Sequence, residues 1–80
     1  MITELMTEAL FASDLQPSQD PSAGTVRTAV TASILRHGAD GCAAIVATEF
    51  GDHPETAVVR MRWVRDSLAA AEHAAAPVAA

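Results

Sequence analysis

The 80-residue sequence has no tyrosine, no lysine and a single cysteine, and its aromatic residues are Phe11, Phe50 and Trp63 alone. Each shortage excludes something. One cysteine, Cys42, cannot form an internal disulfide and cannot supply the paired thiolates of a zinc finger. Without lysine, all five cations are arginines: Arg27, Arg36, Arg60, Arg62 and Arg65. Ten acids outnumber them, the formal net charge is −5, and the first twenty residues hold four acids and no cation. A protein that coats nucleic acid through phosphate contacts is normally basic, so that class is set aside, whereas a binder with a few cations on one face is not. There is no glycine-rich phosphate loop, no carboxylate pair placed for acid–base work and too little chain to enclose a substrate. The expectation is therefore a protein that is not an enzyme and uses no cofactor. His37, His53 and His73 are dispersed without metal-ligand spacing, so no metal is expected either. No apolar run reaches membrane-spanning length, and residues 1–20 lack the basic segment that opens a signal peptide. That pattern predicts a cytoplasmic protein without a membrane partner.

Half of the residues are apolar, and alanine is the most abundant type. Alanine favours helices and thin, closely packed cores, and β-branched residues nowhere alternate over the length of a strand. The prediction is an all-α fold, a small bundle of three to four helices. Residues 3–12 form a short first helix that Thr3 could cap, with Ile2, Leu5, Met6, Ala9 and Leu10 on one side. The stretch "SDLQPSQDPS" over 13–22 breaks it, with Leu15 as an anchor into the core. Asp20 or Ser22 can cap the next helix, with Pro21 suited to its first position. Its inner face is Val26, Ala29, Val30, Ser33, Ile34 and His37, and Gly38 stops it in the left-handed conformation. Asp40 opens a third helix, "GCAAIVATEF", which is almost wholly apolar and is expected to end at Gly51. Asp52 or His53 then caps the last helix, with Pro54 first and Glu55 in the first turn, where the helix dipole favours an anion. Ala57, Met61, Val64, Leu68 and Ala71 make its core stripe. Three regions follow: an N-terminal helix and linker arm at 1–20, a helical domain at 21–73, and an alanine-rich tail at 74–80.

The junction at 47–57 carries the most information. A small residue, Ala47, stands four positions before Gly51, which can take a positive φ, and a capped helix with Ala57 facing inward follows at once. This is the spacing of a helix-turn-helix, and an ordinary hairpin of two helices produces much the same pattern. The segment "VATEFGDHPETAVVRMRWVRDSL" resembles the helix-turn-helix of sigma-factor region 4 and related bacterial regulators. The matching positions are Val46, Ala47, Gly51, Pro54, Glu55, Thr56, Arg60, Met61, Arg65 and Leu68, about 25 residues or under a third of the chain. The chain as a whole also resembles a family of small actinobacterial proteins, on "LQPS", "GCAA" and "EFGDHPETA"; that likeness implies no activity. The segment departs from the regulator pattern at Asp52, where an apolar residue is usual, and at His53, where Ser or Thr would cap. Val58 and Val59 fall at groove-facing positions, yet they have no hydrogen-bonding group for a base edge and could touch only thymine methyls.

Two readings result. In the first, the resemblance implies a small transcriptional regulator that binds double-stranded DNA as a homodimer. His53, Glu55, Thr56, Val59, Arg60 and Arg62 would then lie at the groove. In the second, the chain is a protein–protein interaction module of helix-turn-helix shape. It would use Val58, Val59 and Trp63 to bind itself or a component of the transcription machinery. The sequence leans slightly to the first. Helical spacing sets Arg60 apart from Arg62 and Arg65, and a plain alternative for that face is a solvated Arg62–Asp66 pair. Cys42 is expected to be structural and buried. The acidic, all-helical profile is similar to that of acyl carrier proteins. However, Ser67 in "DSL" lies late in a helix with no glycine before Asp66, so that reading is rejected.

Overall fold

Proline, serine and glycine punctuate a chain that is otherwise helix, and the computed structural model, which describes residues 2–75, shows where each takes effect. The order is α1 (Ile2–Ala12), a short 3-10 turn (Pro17–Gln19), α2 (Ala23–Asp52) and α3 (Pro54–Ala75). There is no strand among the described residues, and the fold is a small all-α one.

The end of α1 has no glycine to close its last turn. Ser13 substitutes: its backbone N–H donates to the Leu10 carbonyl at 3.1 Å and its hydroxyl to the same oxygen at 2.6 Å. The linker then folds on itself. The Gln16 N–H donates to Gln19 Oε1 at 2.6 Å, and the Asp20 N–H donates to the Pro17 carbonyl at 3.0 Å, with Asp20 itself left-handed at φ 45°. That turn consumes Asp20 and shifts the helix start. Ser22 is the cap of α2, its hydroxyl accepting from the Thr25 N–H at 3.2 Å, and Pro21 precedes the cap instead of opening the helix. Leu15 packs against the core, as expected of the linker's one anchor.

α2 is one element in two arms. Gly38, at φ 71° and ψ 171°, breaks it between residues 23–37 and 39–52, which are the second and third helices anticipated in the sequence. Val26, Val30 and Ser33 of the first arm and Cys42 of the second are buried. They meet Ala9, Leu10 and Phe11 of α1 and Ala57, Val64 and Ala71 of α3 in one cluster. Residues 1–20, set apart in the sequence as an arm, thus supply a third of the buried apolar core through α1. The reason is physical: an eleven-residue helix is marginal alone and persists by docking. Of the tail at 74–80, Ala74 and Ala75 continue α3, while 76–80 lie outside the described residues.

One expectation is overturned here. Gly51 does not take a positive φ and does not end its helix; among the described residues Gly38 is the one positive-φ glycine. The helix continues through Gly51 to Asp52, and the break is His53 alone, at φ −138° and ψ 62°. Proline sets that position. Pro54 has no N–H and restricts the residue before it to non-helical conformations, so the helix stops at the residue before His53 whatever Gly51 permits.

Candidate interaction face on the last helix

α3 begins with backbone chemistry. The His53 carbonyl accepts from the Ala57 N–H at 2.9 Å and from the Thr56 hydroxyl at 3.3 Å, and the His53 N–H donates to the Glu49 carbonyl at 2.7 Å. His53 therefore joins the two helices through its main chain, in place of the side-chain cap expected of it or of Asp52. Ala57, Val64 and Ala71 are buried and Met61 and Leu68 half-buried, which is the expected core stripe. Helical spacing leaves the opposite side to solvent. His53, Glu55, Thr56, Arg62, Arg65 and Asp66 are exposed. Val58 and Val59 are exposed as well, at 46% and 63%.

Arg60 is placed quite differently from the other residues grouped with it in the sequence. Its Nε donates to the Phe11 carbonyl at 2.8 Å, and its Nη2 donates to the carbonyls of Ser13 at 2.9 Å and Leu15 at 3.0 Å. The guanidinium carbon lies 5.6 Å from the Phe11 ring centroid and 5.2 Å from that of Trp63, within cation–π range. Phe11 in turn stacks on Phe50 with centroids 6.0 Å apart. Burial pulls the Arg60 guanidinium down from its ordinary pKa, and the charge of Glu49 opposes that shift. Arg60 is thus a clamp from α3 onto the carbonyl end of α1, where a cation also complements the helix dipole. Three of its five N–H donors, those on Nε and Nη2, are spent inside the chain. The sequence did carry a signal for this: α1 ends in "FAS" without a glycine or a basic residue in its last turn, so its carbonyls needed a partner from elsewhere. Nothing local says that the partner is 49 positions further on.

Trp63 is half-buried and packs against the core with Arg60 over its ring. It closes one edge of the bundle and borders Val59, one turn earlier. A shallow groove on the other flank is lined by Phe50, Val58 and Met61 and rimmed by Arg62, Arg65 and Asp66. Arg62 and Asp66 do not pair with one another: the ion pair within 4.0 Å among the described residues is Arg36–Asp14, at 3.3 Å. That pair is exposed on both sides and contributes little.

Cys42 is fully buried, and its thiol donates to the Ser33 carbonyl at 3.7 Å across the α2 break. Burial, and secondarily Glu8, push the thiol above its ordinary pKa. A thiol held protonated and away from solvent is a packing group and not a nucleophile. Among the described residues no cluster of His, Cys, Asp or Glu could hold a metal ion, and no helix is long and apolar enough to cross a membrane. Comparison with protein-family models, curated proteins and solved structures finds no match. The resemblance to sigma-factor region 4 accordingly rests on the quoted residues alone.

Proposed function

We propose that the protein is a non-enzymatic interaction module whose contact surface is the outward side of α3, centred on Val58 and Val59. The observation that carries this reading is the exposure of two adjacent valines, 46% and 63%, on a helix whose inner stripe is already satisfied. Apolar side chains in one patch bordered by charge are the anatomy of a protein-binding surface. Trp63 supports the patch from its edge, with its ring held by Arg60.

DNA binding is the weaker reading. In its favour are exposed Arg62 and Arg65, with His53 and Thr56 at the start of the same helix. Against it, Arg60 is engaged with three carbonyls of its own chain. Glu55 and Asp66 also put negative charge beside the two remaining arginines, where phosphates would have to approach.

A photo-crosslinking residue placed at Val58 or Val59 in cells tests the reading directly. Discrete protein adducts are expected from both positions. Thr31 is exposed and polar and lies on the first arm of α2, so a probe there serves as the background control. No protein adduct above that background would overturn the proposal. Adducts to DNA, together with salt-sensitive binding of the purified chain to duplex DNA, would replace it with the other reading.

A further inference from the structure

We infer that the occupant of this face is a second copy of the same chain, docked with its α3 antiparallel to the first about a two-fold axis level with Val64. The inference rests on the reading of α3 as an interaction face and names its partner.

The argument is charge complementarity along one stripe. Glu55, Val59, Arg62, Asp66, Ala70 and His73 recur at intervals of three and four along α3, so they share a side of the helix. All six are exposed. In an antiparallel pair, a residue a given number of positions before Val64 meets the residue the same number after it in the other copy, and a two-fold axis repeats every such contact. Arg62 then meets Asp66 of the second copy, twice. Both groups have no ion-pair partner in their own chain among the described residues. At the ends, Glu55 meets His73. Between these, Val58 and Val59 meet the alanines at positions 70 and 69, whose small side chains let two helices approach closely. A parallel arrangement would instead stack Arg62 on Arg62 and Asp66 on Asp66, which repel. The stripe is self-complementary in one orientation and self-repelling in the other.

A single helix pair is a small interface, so association in the micromolar range is expected. Sedimentation equilibrium of the purified full chain from low micromolar to millimolar concentration should show the mass rising from one chain towards two. Arg62→Asp should weaken self-association about tenfold or more, by placing like charges opposite each other twice. Arg62→Asp combined with Asp66→Arg should restore it, because the pair is regenerated with its signs exchanged. These positions are exposed, and circular dichroism checks that helix content is unchanged. A mass of one chain at every concentration would overturn the inference, as would a double variant no better associated than Arg62→Asp alone. The crosslinking experiment separates the two failures. Adducts from Val59 to a different protein, with a monomeric chain, would sink self-association and leave the interaction module standing. No adduct of any kind would sink both.

Discussion

The helical run from Ala23 to Ala75 is interrupted twice, at Gly38 and at His53, and the two breaks are made in opposite ways. At Gly38 the cause is the residue itself. Its φ of 71° with ψ of 171° belongs to a region open to glycine and closed to side chains, and no atom crowds it: a Cβ built there would find nothing within 4 Å. At His53 the φ is negative, at −138°, and the proline that follows decides where the helix stops. What holds α3 in place afterwards is distant, since Arg60 reaches back to the carbonyls of Phe11, Ser13 and Leu15. One bend is written at the bend, and the other is secured by a contact between the chain's first helix and its last. Local and tertiary control can therefore be separated by substitution in one small molecule.

The largest effect should come from the tertiary side. Arg60→Ala removes three charge-assisted hydrogen bonds and leaves part-buried carbonyls without donors, a loss of about 2–4 kcal/mol. For a domain of this size the melting temperature should fall by about 10–30 degrees, and the fluorescence of Trp63, the one tryptophan, should change as its cation partner leaves. Arg60→Lys sharpens the point. An ammonium carries the charge, but its three donors sit on one atom and cannot span the carbonyls that Arg60 reaches from Nε and Nη2 separately, so it should recover less than half of the loss. If the lysine variant melted with the wild type, the clamp would be a matter of charge near a helix end, and the contrast with Gly38 would weaken.

Gly38→Ala comes next. Because space is open there, no clash contributes, and the cost of about 1–3 kcal/mol is backbone strain alone. Urea denaturation should show the midpoint falling with the slope unchanged. A neutral result would mean that the two arms of α2 tolerate a different angle. The break would then be imposed by packing, like its counterpart at His53.

These two sites also mark how far the sequence could be read. The stop at Gly38 with a positive φ was legible because glycine followed a clean three-four apolar pattern, although its ψ of 171° is extended and not that of the left-handed helical cap expected; the core stripes of α2 and α3 followed from the same periodicity. Pro54 was legible as a helix start for the same local reason. What could not be read were contacts that no local pattern encodes. The 3-10 turn at Pro17–Gln19, closed by the Gln16 N–H donating to Gln19 Oε1, takes up Asp20 and decides between the two caps the sequence offered, leaving Ser22 to open α2. Arg60 lay off the arginine stripe, as helical spacing indicated, but its destination on α1 required the tertiary fold. Within the candidate face, exposure of Val58 and Val59 was foreseeable from their place opposite Ala57 and Val64. The sequence also offered Asp66 as an intrachain partner for Arg62. In the fold Arg62 stays unpaired among the described residues, and that difference is what leaves its charge available to a second chain.

The smallest effect has the opposite sign and bears on Gly51, a turn residue that was misread. Gly51 was expected to adopt the left-handed conformation of a helix-turn-helix glycine; it sits within α2 with helical backbone, one position before the last residue. Glycine in a helix is costly relative to alanine because its unfolded state is more mobile and it adds no side chain to pack. A Cβ at this position would meet nothing within 4 Å, so Gly51→Ala should stabilise the chain by about 0.5–1 kcal/mol. The gain would be trimmed by the position's closeness to the helix end, where fraying dilutes propensity. Gly38→Ala and Gly51→Ala therefore make a matched pair, the same substitution in equally open space, expected to move the urea midpoint in opposite directions. Were Gly51→Ala to destabilise, the turn would be using glycine's left-handed freedom after all. The His53 break would then become a second locally written bend, and the helix-turn-helix resemblance would regain its central residue.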